Sequence, residues 1–115
     1  MASTTLLVSK TTFGTIAPAD EAFGEKMMIK FFHTLETVDR TPSAIAVYTE
    51  GVKLACEGSP IIDSLKAIEK SGTRIVLCKT CLEYYGILDK VAVGEIGGMD
   101  TIVSLMTTAD TVITP

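Results

Sequence analysis

The sequence predicts an α/β fold, a three-layer α/β/α sandwich on a five-stranded, mainly parallel sheet. Two observations carry this. Short apolar, β-branched runs of four to six residues alternate five times with longer segments whose apolar residues recur at helical spacing. Each run is bounded by glycine, proline or serine, and alternation of this kind is satisfied by right-handed crossovers between parallel strands. With 115 residues the chain forms one domain, residues 1–115, able to bury a core without disulfides.

The elements follow in order. Thr4 to Ser9 is a buried strand by its apolar, β-branched content. The loop Lys10 to Ala19 is longer than most βα connections, and long loops after a first strand often line a site. It has a single glycine, Gly14, which excludes the glycine-rich phosphate patterns of dinucleotide-binding and P-loop proteins. Asp20 is placed to cap a helix from Glu21 to about Val38, with an apolar stripe of Gly24, Met27, Met28, Phe31, Leu35 and Val38. His33 falls outside that stripe and is expected on the surface.

Thr41-Pro42-Ser43 ends the helix, and Ala44 to Thr49 is the second strand. Gly51 follows its carboxyl end, where a glycine permits close backbone approach, so this is a second expected wall of the site. Cys56 stands in an irregular stretch without a nearby partner and is read as packing. Ser59-Pro60 starts a helix through Ser71, with Ile61, Ile62, Leu65 and Ile68 inward and Gly72 as the stop.

Arg74 to Leu77 is the third strand, and Leu82 to Leu88 is helical in pattern, interrupted by Gly86. Cys78 and Cys81 lie on the turn between them. A thiol at a strand's carboxyl end, beside the first amides of a helix, sits where positive potential favours the nucleophilic thiolate. Buried packing is the competing reading, and it weighs more on Cys81, which one helical turn on can face either Cys78 or the core. Val91 to Ile96 is a weaker strand, Met99 to about Thr108 the last helix, and Thr111 to Thr114 the final strand.

Composition narrows the function. A net charge of -4 and a pI near 4.9, without any basic run, argue against nucleic acid as a partner. No apolar run reaches the length of a membrane span, and MASTTLLVSK is no leader peptide, so the expected location is the cytoplasm. The apolar fraction of 47% and mean hydropathy of +0.39 are high for a small domain and predict a homo-oligomer. Three cysteines in a reducing compartment point to thiol chemistry; with His33 as the lone histidine, neither a metal site nor a cofactor is expected.

The residues around the turn also carry a resemblance. Cys78-Lys79-Thr80-Cys81-Leu82-Glu83-Tyr84-Tyr85-Gly86 resembles the C-x-T-C-L-x-Y-Y-G signature of the DsrE/DsrF-like sulfur-relay family, in the form found in the carboxyl-terminal domain of YedF proteins of selenium and sulfur metabolism. Asp20-Glu21 with Gly24, Met27-Met28, Phe31 and Leu35, the segment Tyr48 to Leu54, and Gly94 with Met99 are similar to the family's other segments, so the likeness spans nearly the whole chain. It implies strand order 4-3-2-1-5, assembly as a dimer, trimer or hexamer, and a persulfide on Cys78, the position matching the family cysteine. YedF proteins place a TusA-like domain ahead of this one; none precedes Met1, so donor and acceptor are expected to be other proteins, TusA-like ones among them. Glu50, where relatives carry a small amide or acid, is a milder departure.

The leading reading is therefore a persulfide carrier or sulfurtransferase relaying sulfane sulfur, or selenium, through Cys78, with Cys81 as resolving thiol or bystander. A CxxC thiol-disulfide oxidoreductase is a second reading. It lacks a cis-proline candidate, since the prolines are at 18, 42, 60 and 115. A non-enzymatic, oligomeric module holding a small ligand between Thr11 to Thr15, Gly51 and Cys78 is a third.

Overall fold

A computed structural model describes residues 3–115 of the chain. Five parallel strands, β1 (Thr4–Val8), β2 (Ala44–Val47), β3 (Arg74–Cys78), β4 (Glu95–Gly97) and β5 (Thr111–Ile113), form one sheet in the order β4-β3-β2-β1-β5. The helices are α1 (Glu21–Leu35), α2 (Ile62–Lys70), α3 (Lys79–Tyr84) and α4 (Met99–Thr108). From β1 to β4 the chain steps one way across the sheet, and right-handed crossovers then put α1, α2 and α3 on one face. The return from β4 to β5 puts α4 on the other. This is the three-layer α/β fold that the alternation predicts.

Packing explains why a single helix suffices on the second face. Thr5 Oγ1 donates to the Leu105 carbonyl at 3.2 Å, so Thr5 faces α4, and the strand register places Ala44 beside it and Ala46 one pleat further on. These small side chains let α4 sit close. Gly97 extends the same row, since a Cβ there would lie 2.7 Å from Val76 Cγ1. Ile102 is fully buried in the gap, contributing about 1.5–3 kcal/mol of apolar burial. Leu6, Val8, Ile45, Val47, Ile75 and Leu77 fill the other face.

Several boundaries shift for local reasons. Helix α1 stops at Leu35, three residues short of the expected end, because Thr34 and Thr37 turn their hydroxyls onto the carbonyls of Lys30 and Thr34, and Val38 is exposed. Its buried line is Gly24, Met28 and Phe32, so Phe32 takes the core position expected of Phe31. Phe31 stacks instead on Phe13 of the β1 loop, with ring centroids 5.2 Å apart. Asp20 makes no side-chain cap; a 3-10 turn, Pro18–Asp20, leads into the helix instead.

Helix α3 occupies Lys79–Tyr84 rather than Leu82 to Leu88. Gly86, with φ +69°, lies just past its end, and the bonds Ile87 N–H to Leu82 O and Gly86 N–H to Glu83 O close a Schellman cap. The glycine that looked like an interruption is the stop. Strand β4 shrinks to three residues, since Gly94 has φ +87° and Val91 bridges Cys56 instead of joining the sheet. Strand β2 ends at Val47 rather than Thr49, and the stretch Thr49–Ala55 beyond its end is a 3-10 helix.

Candidate functional site

The site is assembled from the carboxyl ends of the three central strands. Strand β3 ends on Cys78, which is only 2% exposed and belongs to the apolar core. Three residues later Cys81, in the first turn of α3, is half-buried. The two thiols are therefore unequal in access, and the one that the sequence marks as the carrier is the more enclosed. Both are free, as is Cys56.

Strand β2 supplies the partner of Cys81. The main-chain N–H of Thr49 donates to Cys81 Sγ at 3.1 Å. Thr49 has φ +45°, the one positive φ at a non-glycine among the described residues. For a β-branched side chain this is an outlier, with a conformational cost of about 1–3 kcal/mol. Strand β1 holds the strained residue in place: Thr49 Oγ1 donates to the Ser9 carbonyl at 2.8 Å, and Tyr48 N–H donates to the Val8 carbonyl at 3.1 Å.

Gly51 makes this convergence possible. A Cβ on it would stand 2.2 Å from the Val8 carbonyl oxygen, so only glycine lets the 3-10 helix close over the end of β1. The expectation that Gly51 marks a close approach beside the site is met by this contact. Thr49 itself was missed by sequence reasoning, because threonine has no local preference for a positive φ.

The electrostatics differ from the sequence expectation. Helix α3 is six residues long, so few aligned peptide dipoles stand behind its start. The Cys81 thiol is pushed up from its ordinary value, first by burial and then by its hydrogen bond with Cys78, while the Thr49 amide pulls in the opposite direction. The favourable potential at this sulfur comes first from the Thr49 amide at a neighbouring strand end, with the residue's own main-chain amide acting in the same direction. On the outer side, Tyr84 is 83% exposed and meets Tyr85 edge to face, and Lys53 Nζ lies 4.4 Å from the Tyr85 ring centroid.

The long β1 loop does line a cavity. About 330 Å³ lies among Lys10, Thr11, Thr12, Thr15, Glu21 and Glu50, with neither Cys78 nor Cys81 in its wall. The threonine loop and the cysteines, which the sequence suggests as one pocket, are thus adjacent but separated by the Thr49 corner. Cys56 is buried, its thiol donating to the Val52 carbonyl at 3.3 Å, and His33 is exposed on α1. Among the described residues no helix is long and apolar enough to cross a membrane.

The comparisons with known proteins agree with this architecture. The model of the DsrE/DsrF-like family matches residues 15–115. Among solved structures the chain is similar to the ychN protein from E. coli, at 19% identity and a TM-score of 0.64, with all of both chains covered. It is also similar to MTH1491 from Methanobacterium thermoautotrophicum, a protein of unknown function, at 16% identity and a TM-score of 0.71, again over all of both chains. A third, BT1422 from Bacteroides thetaiotaomicron, has 15% identity and a TM-score of 0.62 over 98% of this chain and 94% of that one. At these identities the likeness is one of fold. No curated protein matches the sequence.

Proposed function

The chain belongs to the DsrE/DsrF-like family, and from that premise we propose that it is a persulfide carrier, relaying sulfane sulfur, or selenium by the same chemistry, on the Cys78–Cys81 pair. The observation that carries this reading is the pairing of two free thiols at the end of a central strand, one of them reachable and hydrogen-bonded to a main-chain amide. In the reaction a thiolate of the pair attacks the outer sulfur of a donor persulfide. The new S–S bond forms on the chain, the donor's S–S bond breaks, and the donor leaves as thiolate with the electron pair. An acceptor thiolate then takes the outer sulfur by the same exchange.

Proximity of the two thiols supports a second exit. If one attacks the inner sulfur of a persulfide on the other, a Cys78–Cys81 disulfide forms and hydrosulfide leaves; the two cysteines are oxidised and the sulfane sulfur reduced. Donor and acceptor are proposed to be other proteins, a TusA-like carrier among them. Exposed Phe23, Met99, Val103 and Ile113 support assembly of the chain with copies of itself.

Intact-mass spectrometry after exposure to inorganic polysulfide tests the reading. The wild type is expected to gain one sulfur atom and a Cys78→Ser/Cys81→Ser double variant none, with the native mass of the same sample a multiple of 12.3 kDa. A wild type that gains no sulfur and only loses two hydrogens would favour thiol-disulfide exchange instead. Equal sulfur on the double variant would place the chemistry elsewhere, and a monomeric native mass would remove the assembly.

A further inference from the structure

We propose that Cys81, rather than Cys78, is the thiol at which sulfur enters and leaves, and that the Thr49 amide is built to receive the negative charge on its sulfur. The inference rests on the carrier reading and assigns the roles within the pair. Three independent features of the structure converge on it.

The first is access. A donor persulfide must reach the attacking sulfur, and Cys78 is 2% exposed inside the core cluster whereas Cys81 is half-buried on the outer turn. The second is the direction of the hydrogen bond. Cys81 Sγ accepts from the Thr49 N–H, and a donor aimed at a sulfur gains strength as that sulfur becomes anionic. The third is the conformation that places the donor. A threonine at φ +45° is unfavourable by itself, and it persists because the Oγ1 bond to Ser9 and the close passage of Gly51 over Val8 determine it from outside. Strain at a corner of the backbone whose amide meets a sulfur is the arrangement expected of preorganised charge stabilisation.

The same amide serves both half-reactions, because charge lies on the same atom in each. On entry, the Cys81 thiol first gives its proton to solvent, and the thiolate attacks the outer sulfur of the donor. The Cys81 S–S bond forms and the donor thiolate departs. On exit, an acceptor thiolate attacks the outer sulfur of the Cys81 persulfide. The Cys81 S–S bond breaks and its electron pair returns to Cys81 Sγ, where the Thr49 N–H receives it. Burial and the Cys78 contact push the Cys81 thiol up; the Thr49 amide acts in the opposite direction, on the charged form of the sulfur it meets. Cys78, beside it and enclosed, is left as the thiol that can displace hydrosulfide when no acceptor arrives.

Two measurements separate this assignment from the reading beneath it. The first compares initial rates of sulfur uptake from inorganic polysulfide, followed by intact mass, in wild type, Cys81→Ser and Cys78→Ser. The expected result is a loss of about tenfold or more in Cys81→Ser, from restricted access, with a near wild-type rate in Cys78→Ser. Uptake by Cys81→Ser at the wild-type rate would overturn the role of Cys81 and leave the carrier reading standing. Absence of uptake in the wild type would remove the carrier reading itself.

The second measurement isolates the amide. A full-length chain ligated at the native Ala55–Cys56 junction can carry an ester oxygen in place of the Thr49 N–H, every side chain unchanged. The pH midpoint of Cys81 alkylation, read on the Cys81 peptide, is expected to rise by about one unit, the shift that one hydrogen bond to a charged group supports. Thr49→Val, which loses the bond to Ser9 but keeps the branched shape, should move the midpoint the same way, and Thr49→Ser should restore it. The titratable neighbours Cys78, Tyr85 and Glu50 are identical in all these chains. A midpoint unmoved in whichever of the ester and valine chains folds would overturn the role of Thr49.

Discussion

The two ends of the 3-10 helix Thr49–Ala55 each meet a cysteine, and they treat it in opposite ways. At the first end the chain donates: the Thr49 N–H points at Cys81 Sγ. At the second end the sulfur donates: the Cys56 thiol points at the Val52 carbonyl. Burial pushes both thiols up, with Glu57 adding to the effect at Cys56 and Cys78 at Cys81. A thiol whose proton is held by a carbonyl has to surrender that bond to ionise, whereas a sulfur that already accepts keeps its bond and strengthens it. Burial is common to the two thiols; the polarity of the main-chain group each sulfur meets is what differs between them.

The comparison depends on the seating of the 3-10 helix, and the largest effect is expected from disturbing it. Gly51→Ala would set a methyl group 2.2 Å from the Val8 carbonyl oxygen, backbone against backbone, so neither side can yield cheaply. A loss of about 3 kcal/mol is expected, read as a lower urea midpoint at unchanged m-value, together with slower sulfur uptake. A neutral result would mean that the segment seats loosely and that its two ends are not held apart as described.

A smaller effect sharpens the contrast from the other end. Cys56→Ala removes a buried sulfur and one weak hydrogen bond, so it should cost about 1 kcal/mol in the same urea titration and leave sulfur uptake at the wild-type rate. Uptake that fell with Cys56 would show both ends of the segment to be chemically engaged.

The smallest expected effect is on alkaline stability. Cys56 and Cys81 both have folded values raised above the unfolded one, which lies near about 8.5. The folded state thus holds these protons more tightly. Stability is complete below about pH 8.5 and falls as the pH rises through the folded values. Tyr85, raised first by burial and then by Glu50, extends the loss further upward. The urea midpoint should hold up to about pH 8.5 and decline between there and about pH 10, less steeply in Cys56→Ala. A flat profile would remove burial as a shared property of the two thiols.

Much of the fold was legible in the chain. The alternation of β-branched runs and amphipathic segments predicts the order of the principal strands and helices, because each carries its periodicity within a few residues. The strand order 4-3-2-1-5, which the family resemblance implies, is the order observed. Boundaries were less legible where a single residue decides them. Gly86 reads the same in sequence whether it interrupts a helix or caps it, and only the bonds from Ile87 and Gly86 back to Leu82 and Glu83 distinguish the two. The α1 stripe was placed one residue off at Phe31 because two phenylalanines stand side by side, and the loop that brings Phe13 onto Phe31 decides which is buried.

For the site, the sequence by itself determined that two cysteines stand three residues apart where a central strand gives way to a helix, since spacing and strand pattern are local properties. Only the tertiary structure decided that Cys78 is enclosed, that Cys81 is reachable, and that Thr49 is the partner of its sulfur. Thr49 and Cys81 are 32 residues apart in the chain, on segments leaving adjacent strands. The positive φ of Thr49 opposes its own local preference and is held by contacts with Ser9 and Val8, 40 or more residues earlier. No local pattern encodes a conformation that exists only because distant strand ends meet.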